Sequence, residues 1–401
     1  MSDLPDSEPR LALVVGVVGA GTMGAGIAQV CLQAGHEVQL HDVDHEAIDR
    51  GRTRIADGLQ RLIDKGKGSP GDRQQMLDSL HDAHTLEGLA QETDLVIEAA
   101  LEDLELKRTI FLALGASAGP DTILATNTSA LSVTEIGESS GIPDRVVGLH
   151  FFNPAPVMPL VEVVATPRTS ATTLDRVTDF VTGLGKQPIV SADMPGFIVN
   201  RVNRPFTLEA LRMLEGGEGG VEQIDRAVQS AGYPMGPFAL MDLVGIDVNL
   251  AVATALWEGF DEAVRFTPSA IQRGLVAAGR LGRKTGEGFY TYDDGRPTGL
   301  STALGEIGVP TDRDTDLTDV EIVERIELAI INEAYHAVGE TVAQPPDIDR
   351  AMKLGANHPY GPFERAGQLG LRHVIDGLRS LESSHGERFR VAPSLWQVAS
   401  L

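Results

Sequence analysis

The chain has 401 residues, of which 42% are hydrophobic and 22% are charged, and these proportions are typical of a soluble globular protein. It carries 33 basic and 57 acidic residues, a net charge of −24. We therefore expect no nucleic acid and no anionic membrane as a partner, because a surface of this sign repels both. The length predicts two or three domains, and the single cysteine excludes an intrachain disulfide.

Metal-binding and membrane segments are not expected either. The ten histidines show no Cys/His spacing typical of zinc, so no metal site is predicted. No apolar run approaches the roughly 18 residues of a membrane helix. Residues 1–10 are polar; we interpret them as a flexible N-terminus that is unlike a signal peptide. These features predict a cytoplasmic protein.

The first predicted elements are a strand, a glycine turn, a helix and a second strand, between residues 11 and 42. The turn has the spacing G-x-G-x-x-G: Gly19 allows a tight turn, Gly21 lets the backbone approach a pyrophosphate, and Gly24 lets the helix pack on the strand. The N–H groups at the start of that helix are expected to face the phosphates. A dinucleotide is therefore the predicted ligand.

Asp42 ends the second strand, where a carboxylate can bind the ribose hydroxyls of the dinucleotide. No Arg directly follows it to accept a 2′-phosphate, so NAD is favoured over NADP. The alternative is a glycine-rich turn in an ordinary α/β fold, and it leaves Asp42 unexplained. The cofactor contacts expected from this region are Gly19, Gly21, Thr22, Met23, Gly24 and Asp42.

Strand-like runs recur through the first half of the chain, and helical stretches separate most of them. The runs are residues 13–18, 37–41, 94–99, 122–126, 145–149 and 160–164. This pattern predicts an α/β domain of the Rossmann type with a doubly wound, mostly parallel sheet, at residues 11–193. A helical stretch at about 45–80 is rich in Lys and Arg, so we predict a basic helical arm there.

The second half is predicted to be helical and duplicated. Residues 224–238 and 348–363 share the pattern IDRA…GPF, and Asp225 aligns with Asp349 at an offset of 124. We predict two all-α repeats, at 194–297 and 298–401, with a polar linker at 291–319. Two copies are too few for a solenoid.

The second copy is expected to be structural. At the same offset Glu324 stands where the first copy has Asn200.

His150 and Glu162 lie in two neighbouring apolar runs, where each is costly unless it has a partner. Paired, Glu162 would fix the tautomer of His150, whose second ring nitrogen could then act as a base for an alcohol proton. The alternative is a structural histidine, but the carboxylate and the Asn153 turn beside it favour catalysis.

Ser129 and Asn200 are weaker candidates. Ser129 follows a predicted strand and could cap the next helix, as could Thr128 or Ser132. Asn200 opens the helical half, and a polar residue on the wet face of a helix is an equal alternative to a functional role.

Six segments occur in order over roughly residues 12–293. They are GAGTMGAGIAQ, ATNTSAL, HFFNPAPVMPLVEVV, DMPGFIVNR, GYPMGPFALMDLVG and GRKTGEGFY. Taken together they resemble the short-chain L-3-hydroxyacyl-CoA dehydrogenases, a family that includes 3-hydroxybutyryl-CoA dehydrogenases.

The second helical repeat resembles the two-repeat versions of the family. In shorter members this helical domain pairs with its twin from another subunit, and the resemblance implies that a tandem copy can fill that place within one chain. We therefore expect a monomer or a dimer, with the monomer favoured.

The resemblance implies roles for particular residues. His150 would be the general base with Glu162 as its partner, and Ser129 and Asn200 would polarise the substrate. Implied NAD contacts are Asp42, Glu102, Lys107, Asn153 and Lys284. A CoA-binding arm is implied near Lys65 and Lys67, although Gly58 stands where the family has a serine contact.

The resemblance implies an oxidoreductase that interconverts (S)-3-hydroxyacyl-CoA and 3-oxoacyl-CoA with NAD, as in fatty-acid or aromatic-acid catabolism. The acyl group stays open: 3-hydroxybutyryl-CoA and 3-hydroxyadipyl-CoA are both candidates. A relative acting on a small hydroxy acid is disfavoured by the basic arm. A catalytically idle NAD-binding structural protein is disfavoured by the intact set of candidate catalytic residues.

Overall fold

The computed structural model describes residues 12–309 and 317–399, and the chain divides into two compact units between Asp193 and Met194. The first is here called the sheet unit and the second the helical unit. The predicted flexible N-terminus at 1–10 lies outside the described residues, as does part of the predicted linker.

The sheet unit is built on one eight-stranded sheet. Its strands are β1 (Val14–Val18), β2 (Glu37–His41), β3 (Leu80–Asp82), β4 (Leu95–Glu98), β5 (Ile123–Thr126), β6 (Val146–Phe151), β7 (Leu160–Ala165) and β8 (Gln187–Ala192). They lie in the order β3-β2-β1-β4-β5-β6-β7-β8. All neighbours pair in parallel except β6 and β7, which are antiparallel. The predicted Rossmann-type α/β fold is confirmed.

Helices connect these strands and cover the sheet. They are α1 (Thr22–Gln33), α2 (His45–Asp64), α3 (Pro70–Asp78), α4 (Leu86–Glu92), α5 (Leu104–Ser117), α6 (Val133–Ser139) and α7 (Ala171–Gly183). Each of them except α1 is preceded by a Ser, Thr or Asp whose side chain accepts a hydrogen bond from an N–H of the first turn. Such caps satisfy N–H groups that have no partner within the helix. Helix α1 is preceded by Gly21 and has no side-chain cap.

Two details of the sheet unit differ from the sequence-based expectation. The basic arm at 45–80 is two helices, because Gly66 and Gly68 have positive φ angles that end α2 and separate it from α3. Residues 80–82, which begin at the predicted end of the arm, form β3, a strand that was not predicted. Strand β8 was not predicted, because exposed residues interrupt its apolar pattern.

The helical unit contains a long series of helices and one small hairpin. The helices are α8 (Val199–Val202), α9 (Arg204–Gly216), α10 (Val221–Ser230), α11 (Pro237–Val244), α12 (Ile246–Gly259), α13 (Ala270–Ala277), α14 (Ala303–Glu306), α15 (Asp319–Gly339), α16 (Pro345–Gly355), α17 (Pro362–Leu369), α18 (Leu371–His385) and α19 (Pro393–Ala399). The hairpin is formed by β9 (Tyr290–Asp293) and β10 (Arg296–Leu300).

The predicted linker at 291–319 is therefore partly wrong, since it begins with this hairpin and includes α14. The hairpin is fixed to the first copy: the Tyr290 hydroxyl donates to Asp225 and the Tyr292 hydroxyl to Asp242, each at 2.9 Å. The segment looks polar in sequence because it is rich in Asp and Thr.

The duplicated sequence pattern has a duplicated structural role. Asp225 on α10 accepts hydrogen bonds from the N–H groups of Phe238 and Ala239 at the start of α11. Asp349 on α16 accepts those of Phe363 and Glu364 at the start of α17. In each copy the Asp of IDRA thus caps the helix that begins at GPF. The predicted boundaries of the two repeats stay a prediction.

Buried ion pairs join the two copies reciprocally. Arg201 of the first copy lies 2.7 Å from Glu333 of the second, and Arg325 of the second lies 3.1 Å from Glu209 of the first. Each Arg and each Glu differ from their counterparts by 124 positions. The two copies are therefore related by an approximate two-fold axis within one chain. The predicted monomeric state stays a prediction.

Among the described residues, no single helix is long and apolar enough to cross a bilayer. Helices α11 and α12 pass on length and composition only when joined, across a bend of 101°.

His358 lies where the two copies meet. Its Nε2 atom is 2.8 Å from the Asn203 side-chain oxygen, and its ring packs on Phe206 and Tyr233 with centroid distances of 5.7 and 5.0 Å. Burial lowers the pKa of His358 to about 3. The neutral ring donates a hydrogen bond to Asn203 through Nε2–H. The apolar surroundings disfavour the charged form of the ring and therefore oppose its protonation.

Because His358 is buried in its neutral form, we expect the folded protein to lose stability in acid. The unfolded chain binds a proton at His358 below its ordinary pKa of about 6.5, whereas the folded chain does not, so stability falls as pH falls from about 6.5 toward 3. We expect wild type to lose about 2 kcal/mol more than His358→Gln between pH 7 and pH 5. Urea unfolding followed by tryptophan fluorescence measures this loss in the helical unit, because both tryptophans, Trp257 and Trp396, lie there.

The comparison with His358→Gln isolates this histidine. Burial raises the pKa of Asp225 and of Asp242 to about 6, which favours the folded state in acid, but those groups are common to both proteins. Equal losses in the two proteins would contradict the assignment.

Candidate active site

The glycine turn between β1 and α1 is shaped by close backbone contacts. Gly19 has φ +98°, and a Cβ there would lie 2.6 Å from the Ala99 carbonyl oxygen. A Cβ on Gly24 would lie 1.7 Å from the Gly19 carbonyl oxygen. A Cβ on Gly21, in contrast, would meet nothing within 4 Å. Gly19 and Gly24 are thus required by the fold, and Gly21 faces open space.

The start of α1 fits the pyrophosphate of a dinucleotide. Gly21 is its N-cap, no side chain caps the helix, and its first turn contains no acidic residue. The N–H groups of this turn and the positive end of the helix dipole are therefore left for an anion. Thr22 and Met23 are the first residues of the helix, next to that anion site.

Asp42 is held beside the glycine turn. One carboxylate oxygen accepts a hydrogen bond from the Ala20 N–H and the other from the Val43 N–H, each at 2.8 Å. These bonds fix the carboxylate at the end of β2, the position at which a ribose is bound in this fold. The charge stays available to attract hydroxyl donors and to repel a 2′-phosphate.

His150 and Glu162 face each other across β6 and β7. They are register partners in the antiparallel pair, and His150 Nδ1 lies 2.6 Å from Glu162 Oε2. Glu162 is fully buried, His150 is 6% exposed, and the Phe152 ring packs on the imidazole at 4.5 Å. The predicted pairing is present. Because a carboxylate can only accept, Nδ1 carries the proton and the lone pair lies on Nε2.

Glu102 joins the candidate serine to a lysine. Its Oε1 atom accepts hydrogen bonds from the Thr128 hydroxyl at 2.7 Å and the Ser129 hydroxyl at 3.1 Å. Lys107 Nζ lies 3.5 Å from Oε2. Although burial favours the neutral form, the Lys107 charge and these hydrogen bonds hold the pKa of Glu102 below its usual range. Ser129 is thus held by a carboxylate that stays ionised.

The cap of α6 resolves an alternative that the sequence left open. Ser132 is the N-cap, and its hydroxyl accepts a hydrogen bond from the Glu135 N–H. Thr128 and Ser129 both donate to Glu102. Ser129 is therefore not the capping residue.

Two site residues escaped the sequence analysis. Glu98 is fully buried at the end of β4, where it lies 2.7 Å from Lys107 Nζ. Asn127 accepts a hydrogen bond from the Phe151 N–H at 2.8 Å and thereby ties the end of β5 to the end of β6. A carboxylate within the apolar run DLVIEA was a signal for Glu98. Asn127 gave no comparable signal.

The topology brings the candidates of the sheet unit together. The strands β1, β4, β5 and β6 are parallel, so their carboxyl ends lie at one edge of the sheet. The loops that leave this edge carry the glycine turn, Glu102, Ser129 and Asn153. In doubly wound sheets ligands bind outside the carboxyl ends, where the strand order reverses. Here that reversal lies between β1 and β4.

The remaining candidates are less directly placed. Lys65 and Lys67 are exposed in the turn between α2 and α3. Gly58 is buried on α2, and a Cβ there would lie 2.0 Å from Gln29 Oε1, so a serine at this position would require the Gln29 side chain to move. In the helical unit, Asn200 lies on α8 and Lys284 Nζ pairs with Asp247 at 2.6 Å. Their ligand contacts stay predictions.

Two family models match the chain. The family model described as "3-hydroxyacyl-CoA dehydrogenase, NAD binding domain" matches residues 14–194. The model described as "3-hydroxyacyl-CoA dehydrogenase, C-terminal domain" matches residues 196–292 and 322–400.

Similar individual proteins carry related names. The chain is 37% identical to a 3-hydroxyadipyl-CoA dehydrogenase of Escherichia coli, over 96% of this chain and 97% of that protein. It is 43% identical to a mitochondrial hydroxyacyl-coenzyme A dehydrogenase of Rattus norvegicus, over 69% of this chain and 90% of that protein. A crystal structure of 3-hydroxybutyryl-CoA dehydrogenase from Escherichia coli matches with a TM-score of 0.87 and 34% identity, over 97% of this chain and 98% of that one.

The role of Asp42 predicts the cofactor preference of its variants. Asp42→Ser removes a charged acceptor for the ribose and the repulsion of a 2′-phosphate. We expect kcat/KM for NADH to fall by about 10- to 1000-fold, or about 1–4 kcal/mol, while NADPH improves relative to it. Initial rates with both cofactors measure the ratio.

Asp42→Asn is the matched control. It retains a side-chain oxygen for the Ala20 N–H and lacks the charge, so it separates the electrostatic effect from the loss of the turn contact. If the ratio of kcat/KM for NADH to that for NADPH is unchanged in both variants, Asp42 does not determine the cofactor preference.

Proposed function

Because the chain belongs to the 3-hydroxyacyl-CoA dehydrogenase family, whose reaction is the NAD-dependent oxidation of hydroxyacyl-CoA, we propose that His150 and Glu162 carry the proton transfer of that reaction. The observation that supports this most directly is the buried 2.6 Å contact between His150 Nδ1 and Glu162 Oε2. The substrate is an (S)-3-hydroxyacyl-CoA and the product is the 3-oxoacyl-CoA.

The bound NAD supplies the hydride acceptor in oxidation and the hydride donor in reduction. The protein handles the proton. His150 Nε2 takes the proton of the C3 hydroxyl as the alcohol is oxidised, and the resulting imidazolium is stabilised by Glu162 through Nδ1–H. In the reduction the imidazolium returns this proton to the oxygen. The hydrogen bond from Nδ1–H to the buried Glu162 keeps the imidazole in one tautomer and one orientation.

Two further residues are proposed to act on the substrate's oxygens. Ser129 and Asn200 would hydrogen-bond the reacting oxygen or the thioester carbonyl and stabilise the charge that develops there. The Ser129 hydroxyl donates to Glu102, so it must turn from Glu102 to donate to substrate. The 3.1 Å length of that bond is at the weak end for a hydroxyl donor.

The finer features of the substrate and its setting are also proposals. Lys65 and Lys67 are cations on an exposed turn of a chain with net charge −24, which supports contact with the phosphates of CoA. Relatives are named for 3-hydroxyadipyl-CoA and for 3-hydroxybutyryl-CoA, so both acyl groups remain candidates. We propose that the reaction serves β-oxidation of such thioesters in the cytoplasm.

Replacing the base tests the proposed chemistry. His150→Gln should lower kcat by at least about 10²–10⁴-fold, the usual contribution of a general base, while NADH still binds. Glu162→Gln should lower kcat less, because it can still accept from Nδ1–H, and it should move the acidic limb of the pH profile. Steady-state rates and calorimetric titration with NADH measure these effects. If His150→Gln keeps half of its activity, the proposed mechanism is wrong.

A further inference from the structure

The helix that carries Asn200 is a single turn next to a longer helix. Helix α8 is four residues long, Val199–Val202, and has no side-chain cap. Asn203 has right-handed helical backbone angles and joins α8 to α9, and its N–H bonds to the Val199 carbonyl oxygen. The conformation of α8 therefore depends on α9 and on the residues that pack against this turn.

The backbone before α8 is also unfavourable. Gly196 has φ +72° and Phe197, which is not a glycine, has φ +50°. A bulky residue in the left-handed region is strained and persists only where its surroundings determine it. Phe197 is 1% exposed, so it is packed tightly enough to be determined in this way.

The second copy supplies the contacts that fix α8. Arg201, directly after Asn200, is fully buried. Its Nε atom lies 2.7 Å from Glu333 Oε1 and its Nη1 atom 2.8 Å from Glu340 Oε2, both on α15 or at its end. Asn203 receives a hydrogen bond from His358 Nε2 at 2.8 Å. Two residues that closely follow Asn200, Arg201 and Asn203, are therefore bound to the second copy.

The two-fold relation provides a natural comparison. Arg325, the counterpart of Arg201, is similarly buried and pairs with Glu209 and Glu218 of the first copy. Directly before it stands Glu324 in place of Asn200, and Glu324 contacts His373 on the exposed side of the helix. The same interface thus occurs twice, but only one side of it carries a candidate polarising amide.

We propose that Arg201 and His358 are positioning residues, through which the second helical copy holds Asn200 in the orientation needed to polarise the substrate. This inference rests on the proposed role of Asn200. Arg201 lies on α8 and forms ion pairs with Glu333 and Glu340 of the second copy. His358 of the second copy bonds to Asn203, the residue that follows α8. Both residues would therefore act on Asn200 through α8. The second copy would then contribute to turnover as well as to the burial of an apolar face.

Matched variants of the two arginines separate positioning from stability. Arg201→Lys and Arg325→Lys each keep the positive charge and lose the two-pronged geometry of the guanidinium, so both should weaken the helical unit to a similar extent. Arg201→Lys should lower kcat by about 10-fold, the scale expected for a small misplacement, with KM for NADH within about twofold of wild type. Arg325→Lys should leave kcat within about twofold of wild type.

His358→Phe provides a second route to the same test. It removes the bond to Asn203 and should lower kcat as Arg201→Lys does, so the test stays available if an arginine variant does not fold.

A double-mutant cycle with Asn200→Ala identifies the route of the effect. If Arg201 acts through Asn200, Arg201→Lys should cause no further loss of kcat in the Asn200→Ala background. Equal losses of kcat in Arg201→Lys and Arg325→Lys, or additive losses in the cycle, would overturn the inference. If Asn200→Ala alone leaves kcat unchanged, the proposed role of Asn200 fails instead.

Discussion

The contact between His150 and Glu162 is the interaction on which the rest of the proposed site depends. It requires β6 and β7 to run antiparallel and to keep the register that sets the two residues opposite each other. A slip of one residue would turn every side chain of a strand to the other face and would leave the fully buried Glu162 without its partner. An uncompensated buried carboxylate costs several kcal/mol. Register, burial and chemistry are therefore linked at this one pair.

The sequence predicted the parts of the site that depend on local spacing. The glycine turn, Asp42 and the His150–Glu162 pair were all visible, because each follows from a short motif or from strand alternation. Contacts between distant segments were not visible. The bond from Asn127 to the end of β6 depends on strand order, and the anchoring of Tyr290 and Tyr292 on aspartates of α10 and α11 depends on tertiary packing. The alternation of apolar and polar residues does not indicate the direction of a strand, so the antiparallel direction of β7 was not predicted.

Duplication of the helical region has produced two copies with the same packing and different chemistry. The Asp caps of α11 and α17 and the reciprocal pairs of Arg201 and Arg325 repeat because they maintain the fold. At the position of Asn200 the second copy has Glu324. A charged residue there contacts His373 and does not need to approach a substrate. The two copies have diverged at this position, so only the first copy carries an amide there.

The central claim is that this chain reduces a 3-oxoacyl-CoA with NADH. Its most direct test is the initial rate of NADH oxidation with acetoacetyl-CoA, followed by the absorbance of NADH, with 3-oxoadipyl-CoA as a second substrate. We expect NADH to be consumed with at least one of these thioesters and the (S)-3-hydroxyacyl-CoA to be formed, with NADPH a far poorer donor. If the protein binds NADH and consumes none of it with either thioester, the proposed reaction is wrong.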